Sequence, residues 1–246
     1  MNEFTGKTAV VTGGTSGIGR AVVVALSDAE CEVWFCGRNG NSAGVEASCK
    51  GHGHYVRCDV SKSDEAEKFI GEVLANRGKI DYLVNNVAYD GRLSFDQADD
   101  EAFERFIGVN LRAAVQITRA VLPGLRSGKG RAIVNMGTTN WMLGLSPFTL
   151  YAAAKSGLIG FTRALARELG PEKIRVNMVS PGWVMTEKQL KLYVTEQDKA
   201  ELLRDQALPF LLTEKDIIPS ILFLLSEGAV AMTGQNIIVD GGKFMQ

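Results

Sequence analysis

Tyr151 and Lys155 lie four residues apart, the interval that puts two side chains on one face of a helix. A phenol with an unperturbed pKa near 10 is a poor base at neutral pH, and bringing it to about 7 takes roughly 4 kcal/mol in favour of the phenolate. One cation about 4 Å away supplies roughly that much at an effective dielectric near 20, before desolvation is subtracted. Lys155, helped by the positive charge of an oxidised nicotinamide ring, has the strength to make Tyr151 an acid/base for an alcohol or carbonyl substrate. Thr138, thirteen residues before Tyr151, would offer its hydroxyl to the oxyanion developing on that substrate. Thr139 follows directly, so the choice between the two threonines stays open at this stage.

Hydride chemistry needs a carrier, and a second stretch offers a place for one. Thr12-Gly13-Gly14-Thr15-Ser16-Gly17-Ile18-Gly19 joins an apolar run to a helical one. Glycines at 13, 17 and 19 let backbone approach a pyrophosphate, and N–H groups at the helix start point toward its charge. The order strand, turn, helix is the context that dinucleotide binding requires, although the spacing is G-x-x-x-G-x-G rather than G-x-G-x-x-G. Thr15, Ser16 and Ile18 belong to the same expected contact surface. The next apolar run ends Phe35-Cys36-Gly37-Arg38, with no carboxylate between Glu32 and Glu46. An acidic residue here would hold the ribose 2′-hydroxyl of NAD, whereas Arg38 suits the 2′-phosphate of NADP. NADP is the expected cofactor, with NAD as the alternative.

These groups can act together only if the fold gathers them. Apolar, β-branched runs at Thr8–Thr12, Cys31–Gly37, Tyr55–Val60, Ile80–Asn85, Arg131–Gly137, Ile174–Ser180 and Asn236–Asp240 read as strands. Helical patterns lie between them at Gly17–Asp28, Ser61–Arg77, Asp99–Arg126 and Tyr151–Gly170. Ser61 and Thr213 read as N-caps, with Asp64 and Asp216 three residues on. Such alternation demands a doubly wound parallel sheet with helices on both faces, an α/β fold in a single domain over 1–246. The glycine turn, Asn86, Thr138 and Pro181-Gly182 each follow a strand and reach the carboxyl edge of such a sheet, where ligands bind. Glu187 to Leu212 has no strand of its own, and its mixture of charged and apolar residues suits a substrate lid.

Composition narrows the partners. A net charge of -1 carries no basic surplus for nucleic acid or an anionic membrane, so a small-molecule substrate is expected. No apolar run approaches membrane-spanning length. The first residues lack a basic segment followed by an apolar one, which points to a cytoplasmic protein without a secretory signal. Cys31, Cys36, Cys49 and Cys58 then read as reduced thiols. A zinc site from Cys49, His52, His54 and Cys58 is the alternative, but the ligand pairs are looser than structural zinc usually uses, and no metal is expected.

Thr12-Gly13-x-x-x-Gly17-Ile18-Gly19, Asp59-Val60, Asn85-Asn86, Asn110, Tyr151-x-x-x-Lys155, Pro181-Gly182-x-x-x-Thr186 and Asp240-Gly241-Gly242 together resemble the short-chain dehydrogenase/reductase family, along essentially the full chain. The resemblance implies a Rossmann-like seven-stranded sheet, a homotetramer or homodimer, and hydride transfer between NAD(P) and an alcohol or carbonyl. It gives Asn110 a water to hold against Lys155 in a proton relay, and Lys155 a hydrogen bond to the nicotinamide ribose. It sets Asp59 and Val60 beside the adenine and Asn86 and Ala88 on the adenosine side. Pro181, Gly182, Val184 and Thr186 would line the nicotinamide end.

Two departures from the family pattern stand out: Thr138 replaces the usual serine, and Asn85-Asn86-Val87-Ala88 replaces Asn-Asn-Ala-Gly. The stretches around Trp141 and Trp183 are similar to members acting on sugars or polyols, with both indoles stacking on a sugar face. A 3-oxoacyl reductase is the competing reading, and a non-catalytic NADP sensor is the reading from another class. Such a sensor would not need Tyr151, Lys155, Asn110 and a hydroxyl at 138 all at once.

Overall fold

The computed structural model describes residues 3–38 and 42–245. Its centre is a sheet of strands β1 (Thr8–Thr12), β2 (Glu32–Gly37), β3 (Gly53–Arg57), β4 (Tyr82–Asn85), β5 (Ala132–Met136), β6 (Arg175–Pro181) and β7 (Asn236–Val239). The order is β3-β2-β1-β4-β5-β6-β7, and every adjacent pair is parallel. The chain winds outward from β1 in one direction and from β4 in the other. Between these two strands lies the switch point where such sheets open a crevice.

The helices are α1 (Gly17–Asp28), α2 (Ala43–Ser48), α3 (Ser63–Arg77), α4 (Asp100–Ile107), α5 (Ala113–Ser127), α6 (Asn140–Leu143), α7 (Thr149–Leu169), α8 (Glu187–Leu192), α9 (Glu196–Asp205) and α10 (Glu214–Leu225). Successive residues of a strand point to opposite faces, and helices cover both. Val11, Val33 and Phe35 pack with Val22 and Leu26 of α1 and Ile217 and Ile221 of α10. Val10, Trp34 and Leu83 pack on the other side with Phe69 and Val73 of α3 and Ile117 and Val121 of α5. Strands covered on both faces must be apolar throughout, and β1 is buried at every residue. No helix among the described residues is long and apolar enough to cross a membrane.

The structure departs from the sequence reading in several places. The short helix α2 has no counterpart in that reading. Ser61 does not cap α3: Lys62 occupies that position, and the Ser61 hydroxyl donates to Asp59 Oδ1 at 2.7 Å. A nearby carboxylate in a tight turn outcompetes the helix end for a serine hydroxyl. The long pattern from Asp99 is broken by a π-helical turn at Gly108–Arg112, where Asn110 Nδ2 donates to the Phe106 carbonyl four residues back. A side chain entering the backbone ladder in this way loosens the helix locally. Cys49 and Cys58 pack on opposite faces of the sheet. His52 and His54 both bind the Glu32 carboxylate, at 2.8 and 2.9 Å. The alternative zinc set is therefore not assembled.

Asp81, at the amino edge of the sheet, is fully buried and accepts N–H bonds from Thr8 (2.9 Å), Lys129 (2.6 Å) and Gly130 (3.0 Å). Burial alone would raise its pKa, but these bonds and the Lys79 charge hold it below the ordinary carboxylate value. A depressed folded pKa gives stability that is complete above the ordinary value near 4 and lost as pH falls toward the folded one. Asp81→Asn is expected to cost about 2–4 kcal/mol at neutral pH, because one acceptor oxygen becomes an NH2 facing a buried N–H and the remaining bonds lose their charge. Urea unfolding of both proteins checks this: the gap should narrow toward about pH 3.

Candidate active site

The glycine turn is fastened across the switch point. Thr12 Oγ1 accepts from the N–H groups of Asn86 (3.0 Å) and Val87 (3.2 Å), just past β4. The Asn86 carboxamide donates back to the carbonyls of Thr12 (3.1 Å) and Gly13 (3.2 Å). Gly13 and Gly17 have φ of +68° and +51°, where a side chain is strained. A Cβ on Gly19 would come within 2.2 Å of the Gly13 carbonyl oxygen. That glycine lets α1 start directly behind the turn. The first N–H groups of α1 find no carbonyl in their own helix, which makes the turn an anion cradle.

Gly13, Thr15, Ser16, Gly17 and Ile18 line a cleft of about 2050 Å³, as do the exposed Arg38 and Asp59, Val60, Asn86 and Ala88. Its volume exceeds that of an ordinary small-molecule pocket, leaving room for a dinucleotide and a substrate together. Gly19 does not line the cleft, and its missing side chain serves the packing of α1 against the turn. The valine at 87 is accommodated because position 13 has no side chain: a Cβ there would meet Val87 Cγ2 at 3.0 Å. Pro181, Gly182, Val184 and Thr186 line the same cleft. Thr186 lies across from Gly17, 3.4 Å from where a Cβ at 17 would stand. Bare backbone donors, a cation at 38 and missing side chains at 13 and 17 fit a phosphate-bearing cofactor.

Tyr151 and Lys155, in the first turns of α7, reach the cleft from a buried position, with exposures of 7% and 1%. Thr138, just past β5, holds Asn140 through two bonds, donating to Oδ1 at 3.0 Å and accepting from its N–H at 3.2 Å. Against burial, which raises the Tyr151 phenol, the same hydroxyl acts to lower its pKa in part. Thr139 also borders the cleft, but its hydroxyl lies 3.4 Å from the Pro181 carbonyl. Thr138, not Thr139, faces the tyrosine.

The electrostatics differ from the expectation of a depressed phenol. Lys155 Nζ donates to the Met136 carbonyl at 2.7 Å and stands 5.9 Å from the centre of the Tyr151 ring. Burial lowers the lysine to about 8, against an upward pull from Asp90. Burial also raises the phenol well above its ordinary value, Asp90 adds to the rise, and the Thr138 hydroxyl offsets only part of it. The ammonium is drawn to a backbone carbonyl, so desolvation decides the sign.

Asn110 is engaged with the backbone. Its Oδ1 accepts from the Tyr89 N–H (2.9 Å), and its Nδ2 donates to the carbonyls of Tyr89 (3.0 Å) and Phe106 (3.0 Å). Both amide hydrogens are in use, so the side chain shapes the site rather than donating to a water. Beside it, Asn110 and Lys155 both border a cavity of about 10 Å³, close to the least volume that admits one water.

At the substrate end, Trp183 lines the cleft and donates from Nε1 to Gln189 Oε1 at 2.9 Å. Trp141 does not line it, which corrects the expectation of two stacking indoles. Asn140 and Leu143, three apart on α6, face the cleft and turn Trp141 to another side of that helix. The segment 187–212 forms α8 and α9, and Glu187, Lys188, Gln189 and Leu202 border the cleft. Asp90, Arg92 and Phe148 are cleft residues that sequence reasoning missed. They carry no motif: Phe148 caps the helix of Tyr151 three residues before it, whereas only tertiary placement brings Asp90 and Arg92 to the same cleft.

The family model described as Enoyl-(Acyl carrier protein) reductase matches residues 13–243. A protein of Rhizobium meliloti named "Probable galactose dehydrogenase" is 35% identical over 240 residues, covering 96% of this chain and 94% of its own. The D-xylose 1-dehydrogenase of Caulobacter vibrioides is 36% identical over 241 residues, covering 96% and 95%. A solved structure from Brucella melitensis, described as a short-chain dehydrogenase/reductase and glucose/ribitol dehydrogenase, superposes with a TM-score of 0.92 at 29% identity, over 99% of both chains. With this sheet order and with Tyr151 and Lys155 in the cleft at its carboxyl edge, these matches establish that the chain belongs to the short-chain dehydrogenase/reductase family, oxidoreductases acting on CH–OH groups.

Proposed function

We propose that the protein interconverts a secondary alcohol, most simply a sugar or polyol hydroxyl, and its carbonyl, using NADP. The observation that carries this reading is the Tyr151–Thr138 hydroxyl pair facing a cleft that also holds the anion cradle. The dinucleotide, when bound, supplies a hydride acceptor in its oxidised form and a donor in its reduced form. Gly13, Thr15, Ser16, Gly17 and Ile18 hold its phosphates, Arg38 its 2′-phosphate, and Asp59, Val60, Asn86 and Ala88 the adenosine side. Pro181, Gly182, Val184 and Thr186 close the other end.

Tyr151 Oη takes the proton from the substrate hydroxyl in oxidation and returns it in reduction. Thr138 Oγ1 steadies the substrate oxygen as charge gathers there. Lys155, cationic below about pH 8, favours the phenolate, and a water in the cavity it shares with Asn110 would pass the proton onward. Trp183 offers an aromatic face and Gln189 and Asn140 offer polar groups to a sugar. The family resemblance also supports a homotetramer or homodimer.

A panel of aldoses, polyols and simple alcohols, assayed with NADP⁺ and with NAD⁺ for the absorbance of reduced nicotinamide, tests the reading. Turnover of a sugar or polyol with NADP⁺ is expected. Reduction of a 3-oxoacyl thioester with no sugar turnover would transfer the site to the competing substrate class. No turnover of any compound would leave the sensor reading.

A further inference from the structure

A loop and a lid helix meet over the catalytic tyrosine. Asp90, in the loop after β4, accepts hydrogen bonds from Lys188 Nζ and from Gln189 Nε2 (2.6 Å), neighbours on α8. Gln189 in turn accepts from the indole N–H of Trp183. Two residues past Asp90, the Arg92 guanidinium carbon lies 4.4 Å from the centre of the Tyr193 ring, 5.4 Å from Trp183 and 5.7 Å from Phe148. The Phe148 and Tyr151 ring centres are 6.2 Å apart. The root of the loop is fixed as well, because Asn110 grips the Tyr89 backbone at both its N–H and its carbonyl.

We propose that Asp90 is a positioning residue that clasps α8 over the substrate end of the cleft, and that its pairing with Lys188 couples lid closure to the charge around Tyr151. The proposal rests on reading the site as one for hydride transfer and 187–212 as its lid. An isolated ion pair at a surface contributes little, and Lys188 is 53% exposed. The weight lies in the arrangement. Asp90 is only 25% exposed, it accepts from two adjacent residues of one helix, and a cation over three aromatic faces braces the same junction.

The clasp also has an electrical consequence. Asp90 is a carboxylate whose charge reaches both Tyr151 and Lys155 and raises the pKa of each. In the closed arrangement seen here the Lys188 ammonium lies against that carboxylate and offsets part of its field. With the lid away, the full negative charge would hold the phenol protonated more firmly still. The charged and titratable groups around Asp90 are Lys188 from α8, Tyr151 and Lys155 from α7, and Arg92 from its own loop. Removing Asp90 or Lys188 therefore loosens the lid in both cases but moves the phenol in opposite directions.

Steady-state kinetics across pH, with NADP⁺ and the best alcohol of the panel, tests this on Asp90→Asn, Lys188→Met and the double variant. Each single variant should raise KM about tenfold with kcat changed far less, and the double should be no worse than either single. The alkaline-rising limb of kcat/KM should move to lower pH in Asp90→Asn and to higher pH in Lys188→Met, a split that mere loosening would not produce. Tryptic cleavage after Lys191, Lys199 or Arg204, sites that all three variants keep, should quicken relative to wild type. That readout needs no turnover, so it separates failure of the clasp from failure of the hydride-transfer reading. Unchanged cleavage would overturn the proposal. So would additive KM effects, or limbs that move together or stay in place.

Discussion

Tyr151→Phe is expected to lower kcat by about 10²–10⁴-fold, the usual contribution of a positioned acid/base, while the protein stays folded and binds its dinucleotide. The substitution removes one oxygen from a side chain that is otherwise packed in place. The ring keeps its neighbour Phe148, and the group lost is the hydroxyl whose pKa Thr138 lowers. Burial holds that hydroxyl in its neutral form more firmly than in water, so the folded state gives up no charge when it goes. Thr138 keeps its two bonds to Asn140. Turnover, thermal unfolding and cofactor titration by fluorescence should therefore separate cleanly. A large loss of kcat beside an unchanged Tm and dinucleotide Kd is the expected pattern. A parallel loss of all three would make Tyr151 a packing residue.

Arg38→Ala should weaken NADP⁺ binding by about 10–100-fold and leave NAD⁺ nearly untouched. A charge-assisted hydrogen bond contributes about 1.5–3 kcal/mol, and Arg38 is exposed at the cleft, so solvent screening places the effect toward the lower part of that range. Gly37 beside it leaves room for Thr15: a Cβ there would stand 2.9 Å from the Thr15 side chain. Titration of wild type and variant with both dinucleotides at low and at physiological salt checks the assignment. The NADP⁺ gap should shrink as salt rises, and an equal loss for both cofactors would remove Arg38 from the 2′-phosphate.

Much of the fold is legible in the sequence because parallel strands covered on both faces must be continuously apolar. Ala9-Val10-Val11 is such a run, too short for a helix and rich in β-branched residues, and β1 has the bounds that its residues suggest. Local competition blurs the ends. Ser61 has the residue type of a cap, yet Asp59 takes its hydroxyl, and the π turn lies where the Asn110 side chain bonds the Phe106 carbonyl of its own helix. The site is legible where function demands a fixed local pattern, as in the glycine turn and in the Tyr151–Lys155 pair. It is not legible where groups meet only through the tertiary fold. Asp90 and Lys188 stand 98 residues apart, and no periodicity connects them. The turn of Trp141 away from the cleft likewise follows from the placement of α6, and the ammonium's preference for the Met136 carbonyl could not be read from a four-residue spacing.

The pH dependence of kcat/KM for alcohol oxidation, compared between wild type and Lys155→Met, bears most directly on proton transfer by a lysine-assisted phenol. A cation 5.9 Å from the ring centre contributes roughly 3 kcal/mol at an effective dielectric near 20, less after screening. Its removal should displace the limb that reports phenolate formation to higher pH by about one to two units. Two superimposable profiles would mean that Lys155 does not govern the ionisation of Tyr151, and the proton-transfer role given to this pair would fall with it.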